Sequence, residues 1–267
     1  DPSIGTCWTT VSLGHYHSCA LRSSGEAYCW GSNEWGQTNV PEQTFLAISA
    51  GHYHTCGIDT SGSLVCWGAN GQSQSTPPEG MYHAVTAGDG HSCAIDASGS
   101  ATCWGSNIVG QTQAPEGLYL DIYAGADHTC ALDEAGIATC WGWSELGQTN
   151  APSELSFTTL TAGEWHSCGL TERGQIICWG DDEFGQGTAP STSYSAVAAG
   201  GEYTCGIRTT DQAECWGNND SISVAPPAKK LKSISGGLWH QCGIQLDDDR
   251  LTCWGQNDKG QATPPNP

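Results

Sequence analysis

The chain has 267 residues, 13% of them charged, with 8 lysines and arginines against 28 acidic residues and a net charge of −20. A field of that sign repels phosphate backbones and anionic lipid headgroups, which argues against nucleic acid as a partner. No apolar run approaches the roughly 18 residues needed to cross a bilayer, so membrane insertion is not expected, and Asp1 reads as a mature amino terminus.

One phrase recurs along the chain. It is led by Gly14, Gly51, Gly88, Gly125, Gly163, Gly200 and Gly237, at steps of 37, 37, 37, 38, 37 and 37. A period in this range means a propeller, a solenoid or an array. One repeat cannot bury its own faces, so residues 1–267 read as a single domain.

The second repeat serves for all. Phe45 to Gly51 predicts a short apolar strand A, His54 to Asp59 strand B, and Ser63 to Trp67 strand C. A weaker strand D is expected over Gly71 to Thr76, closed by Pro77-Pro78. Short strands separated by Gly, Asn and Pro, without a sustained helical period, make the fold class all-β.

Fourteen of the 15 cysteines fall in pairs: Cys19-Cys29, Cys56-Cys66, Cys93-Cys103, Cys130-Cys140, Cys168-Cys178, Cys205-Cys215 and Cys242-Cys253. Such pairing reads as a disulfide framework, which places the protein in an oxidising compartment, secreted or on a cell surface. Zinc is the competing reading, because most repeats carry a histidine. A ten-residue gap with one histidine per repeat offers too few ligands, however. Cys7 is left over.

The hairpin register supports the pairing. If Cys56 faces Cys66, then Thr60-Ser61-Gly62 forms a three-residue loop whose third residue is left-handed, where glycine costs least. Gly25, Gly99, Gly136 and Gly174 occupy the same place, and Asp211 takes it in repeat six. Apolar residues such as Ile58 then share the face of the first cysteine. Small residues such as Gly57 share the other face with the Cys-Trp indoles, Trp67 in this repeat. A small neighbour leaves each indole room to lie flat between repeats. Small pairs such as Ala50-Gly51 and Ala87-Gly88 end the A strands, as expected where radial sheets converge, and Leu13-Gly14 breaks the pattern. The chain begins with an A-like strand and ends with a D-like one. How it closes stays open.

The phrase Gly-x-x-His-[Ser/Thr]-Cys-[Ala/Gly]-[Leu/Ile], followed by Cys-Trp-Gly and by Gly36-Gln37-Thr38…Pro41 or Gly147-Gln148-Thr149…Pro152, resembles the repeats of the regulator of chromosome condensation family. The resemblance implies a seven-bladed propeller. In repeat length and turn motifs it is closest to the secreted bacterial β-lactamase inhibitors of this class, although paired cysteines are not part of their pattern. Similar Cys-Trp-Gly repeats occur in bacterial exported proteins and in crinkly-type plant receptor kinases. Tyr203 departs from the repeat histidine, and Gln72 follows Gly71 early in repeat two.

Recognition is expected on the A–B and C–D turns, because the B–C and D–A turns are monotonous. Large aromatics on those turns, Tyr16, Trp35, Tyr53, Trp143, Trp165, Phe184 and Trp239, are the candidate partner-binding residues. In the inhibitors, aromatics in turns matching Tyr16, Trp35, Trp165, Phe184 and Trp239 contact the enzyme. Blades seven, one and two are expected to present an arc of Trp239, Tyr16, Trp35 and Tyr53.

His17, His54, His91, His128, His166 and His240, one per repeat, suit hydrogen bonds to a neighbouring turn better than a metal site. His15 and His52 beside them read as surface contacts. Acidic clusters at 181–182, 218–220 and 247–249 lack the alternating pattern of a calcium loop, and Asn219-Asp220-Ser221 is a lone glycosylation sequon. No nucleophile elbow, phosphate loop or metal motif appears, so neither catalysis nor a cofactor is expected. The expectation is an exported, non-catalytic binding module for another protein, with an inhibitor as one form of it. The alternatives are a carbohydrate-binding lectin or adhesin and a self-assembling structural subunit of an extracellular or cell-surface assembly.

Overall fold

A computed structural model describes residues 7–218 and 225–265. The sequon at 219–221 and most of the 218–220 cluster lie outside the described residues. Blade one consists of β1 (Trp8–Leu13), β2 (His17–Arg22) and β3 (Ala27–Gly31). The same unit recurs seven times, ending with β19 (Leu231–Gly236), β20 (His240–Gln245) and β21 (Leu251–Gly255). Each blade is an antiparallel sheet in chain order, strands A, B and C from the axis outward.

Among the described residues the expected fourth strand does not form. After strand C, a glycine at positive φ (Gly31 at 102°, Gly68 at 101°) turns the chain into a compact loop instead. An asparagine side chain closes that loop: Asn33 Oδ1 accepts from the Thr38 N–H at 3.1 Å, and Asn70 Oδ1 from the Ser75 N–H at 3.0 Å. These bonds hold the backbone turned upon itself, so no ladder continues.

The B–C register agrees with the sequence. Cys19 faces Cys29 and Cys56 faces Cys66, and all seven expected disulfides are present. Cα separations of 4.0 to 4.1 Å belong to closely spaced opposed pairs. The third loop residue is left-handed, with φ of 87° at Gly62 and 69° at Asp211. Its carbonyl accepts the N–H that opens the next A strand, as Gly62 does from Tyr82 at 2.8 Å.

The indoles do pack between blades. Trp67 clusters with Cys19 and Leu21 of the preceding blade and with its own Phe45, and its Nε1 donates to the Gln37 carbonyl at 2.9 Å. The ring is tilted 45° to Phe45. The small residue after the first cysteine makes room for the A-strand ring rather than for the indole. A Cβ on Gly57 would stand 2.5 Å from Phe45, and one on Gly169 2.3 Å from Phe157.

Closure uses the same contacts as every other joint. A Cβ on Gly51 would meet the Gly88 carbonyl at 2.4 Å, and one on Gly237 would meet the Gly14 carbonyl at 2.6 Å. The leading glycines are thus in close contact across the seam as within the ring, with Tyr203 filling that place beside Gly200. Trp8 packs on Ile244 and Leu251 of blade seven, and Ser18 and Trp30 both donate to the Gln261 carbonyl at 2.8 Å. The A strands have a free inner edge, and neighbouring hydroxyls occupy it. Ser12 Oγ accepts from the Ala50 N–H at 2.9 Å, and Ser49 Oγ from the Ala87 N–H at 3.0 Å.

The repeat histidines are wholly buried. Each Nε2 reaches a hydroxyl at the start of the next blade's B strand rather than a turn: His54 to Ser92 at 2.7 Å, His91 to Thr129 at 2.8 Å, His240 to Ser18 at 2.9 Å. Tyr203 replaces the histidine with its own hydroxyl, donating to the carbonyls of Gly237 and His240 at 2.7 and 2.9 Å.

Candidate interaction face

The A–B and C–D turns share one end of the ring, and their backbones are tied together. The carbonyl of the residue before each repeat histidine accepts the N–H that follows strand C: Tyr16 from Ser32 at 2.8 Å, Trp165 from Asp181 at 3.0 Å, Trp239 from Gln256 at 2.8 Å. The glycine ending strand C is required at this crossing, since a Cβ on Gly31 would stand 2.6 Å from the Tyr16 carbonyl.

A buried glutamine fixes the C–D turn in the six blades whose turn is described. Gln37 Oε1 accepts from the Trp35 N–H at 2.9 Å, and Gln186 Oε1 from the Phe184 N–H at 2.9 Å. Blade two is less irregular than its sequence suggests. Gln74 plays this part, and Ser73 takes the left-handed place at φ 65° where other blades have glycine. The Gly-Gln motif is therefore a positioning device for the residue presented two places before the glutamine.

All seven candidate aromatics lie on these turns. Trp35 and Phe184 stand out at 60% and 42% exposure, whereas Tyr16, Tyr53, Trp143, Trp165 and Trp239 are half-buried. Two groups form. Trp143 meets Trp165 edge-on at 5.0 Å, and His15 stacks on Tyr16 at 4.3 Å while also touching His52 and Tyr53. Sequence reasoning missed Ile108, 84% exposed, which with Val109 and Leu146 extends the apolar rim between them. The signal available was its place, one before the position pinned by glutamine.

At the axis the small A-strand ends leave a concave mouth lined by His15, His52, Ala126, Glu164, Gly201 and Leu238. His52 Nδ1 lies 2.9 Å from Asp89 and 3.1 Å from His15 Nδ1. The hydrogen bond from His52 holds the Asp89 carboxyl below the usual range. Burial, helped by His52, pushes His15 down to about 3. Burial also raises Asp127 and Glu164. Among the described residues no three histidine, cysteine or acidic side chains come together as metal ligands.

The sequence profile of the regulator of chromosome condensation (RCC1) repeat matches residues 8–37, 45–74, 82–111, 120–148 and 157–186, more than half of the chain. The chain belongs to the RCC1-repeat family. The RCC1-type ring is similar to the CRINKLY WD40 ectodomain of the Arabidopsis thaliana receptor kinase ACR4, at 26% identity and a TM-score of 0.80, covering 95% of this chain and 97% of that one. The Physcomitrella patens receptor kinase CR4 ectodomain matches at 26% and 0.78, covering 94% and 73%. Prp20p of Saccharomyces cerevisiae shares the fold at 16% and 0.75, covering 95% and 83%. No curated protein sequence matches the chain significantly. The RCC1-repeat propeller is a fold consistent with a non-enzymatic binding module, and its seven disulfides suit an oxidising, extracellular compartment.

Proposed function

We propose that this chain is an exported, non-catalytic module that binds another protein through the face formed by its A–B and C–D turns. The observation that carries this reading is the rim of aromatic and aliphatic side chains on turns whose backbones are already tied down. Apolar groups ordered before binding lose little entropy on contact, and aromatic anchors dominate interface energetics. Two neighbours of the same fold are receptor-kinase ectodomains, and Prp20p has been studied for its binding to Gsp1p and histones. The same fold here is read as serving a protein partner.

The test is capture from the extracellular fraction of the source, comparing the wild-type chain with Trp35→Ala and Trp165→Ala. A protein retained by the wild type and lost with both variants supports the reading. A ligand displaced by free sugar would overturn it in favour of a lectin, and polymers in native mass spectrometry in favour of a structural subunit. The inhibitor form of the reading has its own assay. Nanomolar inhibition of a class A β-lactamase supports it, and none at micromolar protein removes it.

A further inference from the structure

Charge is divided between the two ends of the ring. Of the 8 lysines and arginines, only Lys259 lies on the A–B and C–D turns among the described residues, and it is paired with Glu34 at 2.9 Å. The rest, from Arg22 at the end of β2 to Arg250 in the last hairpin loop, lie at the opposite end, where Arg208 meets Glu214, Lys230 meets Asp211 and Lys232 meets Asp249. The A–B turns carry Asp89, Asp127, Glu164 and Glu202 around the mouth, and the C–D turns add Glu34, Glu145, Asp181, Asp182, Glu183 and Asp258. No lysine or arginine lines the mouth itself.

The shape of the mouth favours one approach. Glu164 sits between Ala126 and Gly201, the two smallest residues at this level of the axis, and a Cβ on Gly201 would reach to 3.4 Å of the Glu164 carboxylate. Leu238 packs over the Gly201 side, and Glu164, half-buried, lines the mouth with its carboxylate reachable from outside the ring. Its next residue, Trp165, packs edge-on against Trp143 on the adjoining rim, and indole rings attract cations. Burial raises both Glu164 and Asp127, and the surrounding carboxylates add to it. Only His52 works against this at Glu164.

An apolar rim around a charged centre is the arrangement in which a buried ion pair gains strength, because the rim excludes water. Resting on the protein-binding reading above, we infer that the face is built for a basic partner: a protein surface that seats a lysine or arginine in the axial mouth beside Glu164. Its apolar surroundings would cover Trp35, Ile108, Leu146 and Phe184.

The test is a disulfide-cyclised random heptapeptide library panned on the intact, oxidised chain, with selected peptides resynthesised and titrated by calorimetry. The expected result is enrichment of lysine or arginine. Binding should weaken about tenfold or more with Glu164→Gln, and fall when salt is raised from about 0.05 to about 0.5 M. Trp165→Ala should weaken it as well, with thermal melts and intact disulfides showing that both variants fold.

Peptides without basic enrichment, or indifferent to Glu164→Gln and Asp127→Asn, would overturn this inference. If such peptides were still lost with Trp35→Ala or Trp165→Ala, the protein-binding reading would stand. Peptides indifferent to every variant of the face, or a library yielding no binder, would count against both.

Discussion

The Nε2 of His17 lies 2.9 Å from the hydroxyl of Thr55, and both atoms are sealed in the joint between blades one and two. The hydroxyl itself donates to the Gln37 carbonyl at 3.0 Å. It has one proton, so Nε2–H must be the donor to it, and the ring is held as that neutral tautomer. Nδ1 is buried without a partner here and at His54, His91, His128, His166 and His240. A second proton would find no acceptor in any of the six joints.

Acid should therefore loosen the ring. Burial, with neighbouring histidines adding, pushes His17, His54 and His128 down to about 3, and burial pushes His91 and His166 to about 4 and His240 to about 3. In the unfolded chain the rings take up protons below about pH 6.5. Between these values the unfolded state binds more protons, so stability falls as pH drops, by about 1.4 kcal/mol per ring per pH unit. Asp127 and Glu164 act in the opposite sense but are two against six. Denaturant midpoints measured at pH 7, 6, 5 and 4 should decline steeply below pH 6.5, and a flat profile would contradict the tautomer argument.

The glycine ring yields a matched pair of substitutions. Gly51→Ala would place a Cβ 2.4 Å from the Gly88 backbone carbonyl, which cannot move without shifting the next blade. Gly71→Ala has nothing within 4 Å. Thermal melts should show Gly51→Ala destabilised by about 1–3 kcal/mol or more and Gly71→Ala within about 0.5 kcal/mol of the wild type.

Strand register is legible in the sequence because two independent constraints agree: Cys56 opposite Cys66, and a left-handed Gly62 closing the loop between them. The seven-fold repeat, the disulfides and the wedged indoles follow from it. The missing fourth strand is not legible, because Gly-Gln-Thr reads equally as strand or turn until the asparagine and glutamine side chains are seen bonding the loop to itself. For the face, position is legible and company is not. Tyr16 and Trp165 fall on the expected turns, but His15 meeting His52 and Tyr53, and Glu164 lining the mouth between Ala126 and Gly201, depend on adjacency between blades about 37 residues apart.

Tyr203 and Gln241 form an exchangeable pair. Wherever a blade has the histidine, the following B strand has Ser or Thr as its second residue, as Thr204 serves His166 at 2.8 Å, and where Tyr203 replaces the histidine that residue is Gln241. Tyr203→His alone should cost about 2–4 kcal/mol, through lost volume and loss of the hydroxyl's bonds to the carbonyls of Gly237 and His240, the latter keeping the Gly237 N–H. Adding Gln241→Ser supplies the missing hydroxyl and should recover about 1–3 kcal/mol of that as coupling in a double-mutant cycle. Additive costs would mean that the joint does not depend on the imidazole–hydroxyl bond.

Glu164 should be a liability to the free protein. Its carboxyl is raised by burial, so at neutral pH the ionised form is disfavoured more in the folded state than in the unfolded one. A raised carboxyl costs stability above its ordinary titration range, and that cost disappears once both states are protonated. Glu164→Gln should therefore raise the denaturant midpoint at pH 7, and its advantage should shrink as pH falls toward about 5. Unchanged or greater stability together with weaker partner capture would separate recognition from folding at this position, because a residue held for packing loses both when it is changed. A lower midpoint at pH 7 would show instead that the carboxylate supports the fold.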